Sequence, residues 1–506
     1  MRQRLRAAGK WPGRGLALLA GALFLLALAL CPAIGQTPPR RLTLVHFNDF
    51  YRIEGVEGRT KGGIARLGGL LESLRKQGPV LALFAGDLLF PSLMSREFGG
   101  AQMIEGLNAV GLDAATFGNH EFDGKEEAVL LARLRESRFP WVSSNVRRAD
   151  GSPFPGVAPR MVREAGGVRV GVLALTIPAV RRPYVSYLPV REEARREAET
   201  LRRAGAELVI ALTHLPMEED LALARDLPGV DLILGGHEHD AQLGRAGAAL
   251  ILKADSDLRT VWVVEAAVPV QGRPELHARL VALGTGVPRP PALRDMEASW
   301  LARLAARLGP DEPVAQSEAA LDGRESTLRF REGNLGNLVA DAFREEGQCE
   351  VAAVNGGAIR VDELLPPGLL TRHQVAEILL FKNRVLRLRV PGSVLGAALE
   401  HSAAMRGSGG FLQLSGARAA FDLGAPAGKR LREAEAGGAP LQPDRPYTLC
   451  TLDFLAGGGD GYVMWAKAEY RLSGDAGDSE ELLLRHLRRL GRVAPRQEGR
   501  IRFLGR

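Results

Sequence analysis

The sequence predicts an α/β protein of two domains, and three observations support this. Its 506 residues exceed what one core accommodates at ~100–200 residues per domain. Short apolar runs alternate with amphipathic helical patterns from residue 41 onward, as in sheets covered by helices. Between residues 284 and 291 the alternation stops at two glycines, a Thr and three prolines, the composition of a linker.

The runs Leu42 to Val45, Val80 to Phe84, Trp141 to Ser144, Val168 to Leu175, Leu208 to Leu212, Asp231 to Leu234 and Ala249 to Leu252 have the length and continuous hydrophobicity of buried strands. Ile64 to Lys76 and Arg191 to Ala204 carry apolar residues at helical spacing with charges on the opposite face. After the linker, Leu293, Met296, Trp300, Leu301, Leu304 and Leu308 recur at three-four spacing until Gly309-Pro310. They predict a helix acting as a strut between domains. A second α/β segment starts near Val314, and the halves share no repeat.

The extreme N-terminus has its own logic. Arg2, Arg4, Arg6, Lys10 and Arg14 precede an apolar run from Leu16 to Leu30 and a small-residue site at Ala33-Ile34-Gly35, the pattern of an export signal cleaved near Gln36. Cys31 offers a lipoprotein alternative, but Leu30 stands where a small residue is wanted. The run is also shorter than the ~20 residues of a membrane span. Cleavage removes five of the 66 Lys and Arg against 59 Asp and Glu, so the net charge of +7 falls to +2. That balance gives no argument for nucleic-acid or membrane partners, and neither a nucleic-acid polymer nor a stable membrane span after cleavage is expected. Cys349 and Cys450 remain, and two buried thiols is the simpler expectation, with a disulfide the alternative.

The chemistry concentrates after the strands. Asp49 in HFND, Asp87 in AGD, Asn119 and His120 in GNHEFD, His214 in ALTH, and His237 and His239 in GGHEH each sit beside Gly or another small residue. Ligands of open α/β sheets gather beyond the carboxyl ends of strands, where loops converge. One such histidine alone is readily a local hydrogen-bonding group, as is expected for His46. Five strand ends in succession call for another explanation. Oxygen and imidazole donors without thiolate suit Mn, Zn, Co, Mg or Fe and exclude a structural Cys-type zinc site.

These motifs resemble the signature of calcineurin-like metallophosphoesterases, in the order and spacing of the 5'-nucleotidase and UDP-sugar hydrolase branch. The resemblance implies a four-layer αββα sandwich over residues 40–284, a linker and hinge helix over 285–315, and a smaller C-terminal substrate-binding domain over 316–506. It implies two divalent ions bridged by Asp87, with Asp49 and His239 on one and Asn119, His214 and His237 on the other. His120, oriented by Asp123, would form the catalytic dyad, and water activated by the ions would attack phosphorus. Most of the family carries Asp-x-His after the first strand, whereas this chain has Asp49-Phe50-Tyr51, similar to an Asp-x-Tyr subgroup. Tyr51 has three readings: phenolate ligand, partner of a coordinated water, or packing.

The C-terminal segments FREGNLGNLVADAF, VNGGAIR, FKN and FLAGGGDGY are each weak alone but together are similar, in order, to that family's C-terminal domain. FREGNL is expected to be a strand end entering a helix. The resemblance implies that Phe381 and Phe454 sandwich a nucleobase, Asp460 takes a ribose hydroxyl, Asn355 and Asn383 meet polar edges, and Arg331 and Arg360 hold phosphate oxygens. Physics agrees, since aromatic faces stack any base and guanidinium forks match phosphate. Hydrolysis of nucleoside 5'-monophosphates outside the cytoplasm is the leading expectation, with domain rotation near the linker and Trp300 at the hinge. Hydrolysis of UDP-sugars, of nucleoside di- or triphosphates, or of 2',3'-cyclic nucleotides are alternatives on the same scaffold. A thiosulfate-releasing hydrolase needs no paired Phe, and a non-catalytic nucleotide-binding protein is the reading from another class. Oligomeric state has no signature in the sequence.

Overall fold

A computed structural model describes residues 38–505; the expected export signal lies outside them. Residues 40–282 form two stacked sheets. The first has seven strands in the order Glu275–Ala282, Thr260–Val268, Arg40–Phe47, Val80–Phe84, Ala114–Ala115, Trp141–Val142 and Val157–Ala158. The second has six, in the order Gln242–Ala246, Ala249–Lys253, Leu232–Gly235, Leu208–His214, Val168–Thr176 and Arg160–Ala165.

The two-residue period of a strand explains the layering. Leu42, Leu44, Leu81 and Leu83 of the first sheet meet Val170, Val172, Ile210 and Leu212 of the second in one core. The alternate residues face outward. Val45, Phe47 and Phe84 pack under the helices Ile64–Arg75 and Ala101–Val110, while Val209, Ala211 and Ile233 pack under Val190–Arg203 and Met217–Asp226. The result is the four-layer αββα sandwich. Sequence reading missed the edge strands Gln242–Ala246, Glu275–Ala282 and Arg160–Ala165, whose half-exposed residues break up the apolar runs, and it also missed the largely buried Thr260–Val268.

The linker helix runs from Pro291 to Leu308, with proline at its start and Gly309 at its end. Its first half belongs to the sandwich: Glu297 Oε1 accepts from the Ala65 N–H at 3.0 Å, and Trp300 Nε1 donates to Glu105 at 3.1 Å. Its last turns lie where the domains meet, with Leu304 and Leu308 packed on Leu93 of one domain and Ala376 and Leu380 of the other.

The C-terminal domain centres on a five-stranded sheet ordered Leu412–Ser415, Val351–Asn355, Pro446–Leu452, Arg384–Pro391 and Arg471–Asp478. Helices Asn334–Glu346 and Ser479–Leu490 cover one face, and Gly392–Ala404 with Tyr462 and Trp465 covers the other. FREGNL follows a short helix, Glu325–Leu328, rather than a strand. Cys349 and Cys450 are joined in a disulfide, with Cα atoms 5.7 Å apart, so the expectation of two thiols is corrected. Val351–Asn355 runs parallel to Pro446–Leu452 with Ala352 beside Cys450, and a left-handed turn at Gln348 (φ 54°) carries Cys349 back to that strand. Among the described residues no helix is long and apolar enough to cross a membrane.

Candidate metal centre and substrate cleft

The carboxyl ends of both sheets supply the centre. Asp49 follows strand Arg40–Phe47, Asp87 follows Val80–Phe84, His214 ends Leu208–His214, and His237 and His239 follow Leu232–Gly235. Donor atoms of Asp49, Asp87 and His214 all lie within 4.8 Å of one another. His214 Nε2 is 3.2 Å from Asp87 Oδ2, and His239 Nε2 is 3.2 Å from Asp49 Oδ1. The His237 ring stands edge-on to His214 at 5.4 Å.

Holding these groups together takes strain. Asp49, Asp87, His237 and His239 all have left-handed backbones, with φ of 50°, 68°, 95° and 69°. Such conformations cost about 1–3 kcal/mol each and persist where the surroundings over-determine them. Gly118 is required by close approach, because a Cβ there would lie 2.1 Å from Asp87 Oδ1. Asn48 Nδ2 donates to Asp49 Oδ2 at 2.7 Å while its Oδ1 takes the Ala254 N–H at 2.8 Å.

A second support escaped sequence reading. Glu121, fully buried within GNHEFD, accepts from the backbone N–H groups of Asp87 (3.0 Å), Leu88 (2.5 Å) and Gly118 (2.5 Å). It thereby ties two of the strand-end loops together. Its only signal was its place inside the motif.

The electrostatics call for positive charge. Burial disfavours a proton on His214, yet the Asp87 and Asp49 carboxylates outweigh it and push the imidazole up to about 10. Burial likewise opposes His239, but Glu325 and Asp49 push it up to about 9. His237 goes the other way, down to about 3, from burial and the neighbouring His214. Buried His214 Nε2 and Asn119 Oδ1 have no hydrogen-bond partner among the described residues. Paired buried carboxylates, imidazoles and orphaned lone pairs together fit divalent cations.

Tyr51 points into this cluster. Its Oη lies 3.2 Å from Asp49 Oδ1, 3.0 Å from Asp87 Oδ2 and 3.0 Å from His239 Nε2. Burial and the two carboxylates push its phenol well above the usual tyrosine range. Beside it, His120 Nδ1 meets Asp123 Oδ2 at 2.6 Å and the His120 N–H donates to Asp87 Oδ1 at 2.8 Å. His46 Nε2 meets the Gly235 carbonyl at 3.0 Å.

The C-terminal domain closes over the centre. The Arg360 guanidinium sits 5.4 Å from the Tyr51 ring centroid and 5.9 Å from that of Phe381. Phe381 stacks at 6.1 Å and 25° on His120. Asn355 Nδ2 donates to Asp460 Oδ2 at 2.9 Å, and His401 Nε2 holds the Asp460 carbonyl at 2.8 Å. Phe454 is 46% exposed and lies flat against Gly459, where any Cβ would collide with its ring at 2.6 Å. Asn383 is half-buried, its carbonyl taken by the Ser479 N–H at 2.9 Å.

Arg331 is not brought to the cleft. Its exposed side chain contacts Thr327 Oγ1 at 3.3 Å, whereas buried Arg329 reaches Glu325 and comes within 3.5 Å of His239 Nδ1. Residues two apart on a turn face different ways, a difference no local motif reveals.

A buried Asp, His and Asn cluster at the strand ends of an αββα sandwich defines a metal-dependent phosphoester hydrolase, and known proteins agree. Residues 42–241 match the calcineurin-like phosphoesterase family and residues 313–467 the 5'-nucleotidase C-terminal domain. The crystal structure of a 5'-nucleotidase precursor from Thermus thermophilus is 30% identical, with TM-score 0.84, over 92% of this chain and 100% of that one. The 5'-nucleotidase of Homo sapiens is 29% identical over 96% of this chain and 94% of its own length. A snake venom 5'-nucleotidase from Gloydius brevicauda is also 29% identical, over 97% and 93%. The chain belongs to the 5'-nucleotidase family, and its activity is that of a nucleotide phosphohydrolase.

Proposed function

We propose that this protein is an exported hydrolase that uses two divalent cations to release phosphate from nucleoside 5'-monophosphates. One observation carries the reading: the C-terminal Arg360 and Phe381 meet the N-terminal Tyr51 and His120 over the same cluster of ligands. A nucleotide gripped by one domain thus presents its phosphate to the other. Asp49 and His239 would hold one ion, Asn119, His214 and His237 would hold the other, and Asp87 would be shared between them. Cations held there supply Lewis-acid stabilisation of phosphoryl oxygens and a strong nucleophile at neutral pH.

The protein's own groups do the rest. His120, held by Asp123 at 2.6 Å, donates a hydrogen bond to the phosphoryl group as charge builds on it. Arg360 and Arg329 bind phosphate oxygens. Phe381 and Phe454 stack the base, Asp460 with Asn355 takes the ribose hydroxyls, and Asn383 meets a polar edge of the base. Product release requires the domains to part, with the end of the linker helix as the hinge.

Export is supported by the basic and apolar N-terminal pattern and independently by the Cys349–Cys450 disulfide, a bond that persists in oxidising compartments. The test is phosphate release from AMP with added Mn, Co, Zn or Mg, by the native protein and by His120→Ala. Loss of one transition-state donor lowers kcat about 10²–10³-fold. Equal rates, or no phosphate from any 5'-monophosphate, would refute the proposal.

A further inference from the structure

We infer that Glu325, a residue of the C-terminal domain, is a positioning residue for the metal centre of the N-terminal domain and makes cation affinity depend on domain closure. This rests on the metal-site reading above. The two imidazoles nearest the buried carboxylates are oriented from different domains. His214 Nδ1 meets the Ala85 carbonyl at 2.8 Å, a contact within the sandwich. His239 Nδ1 meets Glu325 Oε2 at 2.8 Å, a contact across the domain interface.

The consequences follow from the tautomer. A proton on Nδ1 shared with a carboxylate leaves the Nε2 lone pair free to face the site and makes it a stronger donor. His239 Nε2 does face the site, 3.2 Å from Asp49 Oδ1 and 3.0 Å from Tyr51 Oη. With tyrosine at position 51, no imidazole from the first strand-end loop shares that task.

Glu325 is well suited to the role. It is 9% exposed, and its backbone N–H donates to Asp362 Oδ1 at 2.8 Å. Asp362 Oδ2 in turn pairs with Arg259 of the sandwich at 2.9 Å. Its other oxygen, Oε1, is held by Arg329 and lies 3.5 Å from Arg360. One carboxylate therefore joins a metal ligand to the two arginines aimed at phosphate. Parting the domains takes Glu325 away from His239. By linkage, cations favour the closed form by the same factor by which closure tightens cation binding.

The test is calorimetric titration of Mn²⁺ and Co²⁺ into the chelator-stripped full chain, comparing native protein, Glu325→Gln, Glu325→Ala and His239→Ala. Loss of such an outer carboxylate typically weakens metal binding 10–100-fold. We expect that loss at one of two sites in both Glu325 variants, the other site changing less than about threefold, and a changed Co²⁺ absorption spectrum. In the His239→Ala background, Glu325→Ala should add nothing. Glu325→Gln keeps the side-chain shape and decides the matter should the alanine variant fail to fold. Native affinity at both sites in Glu325→Gln, or weakened inorganic phosphate binding with unchanged cation binding, would overturn the inference. Native protein that binds no cation would instead refute the metal centre itself.

Discussion

Lys253 offers the sharpest test of how the fold holds its ligand loops. Only 1% of its side chain is exposed, and its ammonium lies 2.6 Å from Glu238 Oε2 and 3.0 Å from Asp220 Oδ2. It also donates to the carbonyls of Leu215 at 2.5 Å and Gly236 at 3.0 Å, the residues beside His214 and His237. Lys253→Met keeps the aliphatic stem but leaves two carboxylates and two carbonyls without their cation. Breaking a buried pair from one side costs about 3–5 kcal/mol. Even with the lysine present, burial pushes Asp220 up to about 6, so in the variant it takes a proton and relieves part of the cost.

The lower end, about 3 kcal/mol, is therefore expected. At about 2–4 °C per kcal/mol for a domain of this size, the melting temperature of the N-terminal domain falls by about 6–12 °C. The sign of the pH dependence follows from Asp220. Raised in the folded variant above its unfolded value, its carboxyl destabilises the fold once pH exceeds that unfolded value, so the deficit is larger at pH 8 than at pH 5. Asp220→Asn added to Lys253→Met should recover part of the loss at pH 8. Scanning calorimetry of the chelator-stripped proteins checks this. A melting temperature within 2 °C of native, or a deficit that grows on acidification, would refute the reasoning.

Three further outcomes are expected. Tyr51→Phe removes a hydroxyl placed among Asp49, Asp87 and His239 and should lower metal content or kcat; unchanged metal analysis and turnover would assign Tyr51 to packing. Phe454→Ala removes half of the proposed base stack, worth about 1–3 kcal/mol, and should raise KM for AMP about 5–150-fold with kcat nearly unchanged in steady-state assays. Replacing both Cys349 and Cys450 with Ser opens a loop of 101 residues and should cost about 2–5 kcal/mol, read as a lower melting temperature that reductant no longer changes.

The amino-acid sequence by itself determined the α/β class of the first domain and the polar residues at its strand ends, and the resemblance those residues carry pointed to the sandwich. Strands such as Val80–Phe84 and Leu208–His214 are buried on both faces, so their apolar runs stand out without any partner, and the groups that follow them are placed by chain geometry alone. The positions of Asp49, Asp87, His214 and His237 are local consequences of where strands end. Tertiary structure decided whatever depends on direction and distance between remote segments. It buried Arg329 and left Arg331 exposed, because burial on one side of a turn separates two neighbouring arginines. It joined Cys349 to Cys450 through the register of two parallel strands. It also set Glu325 against His239 and Lys253 beneath the ligand loops, contacts between residues that no motif links, since a hydrogen bond depends on where two atoms finally lie and not on their spacing along the chain.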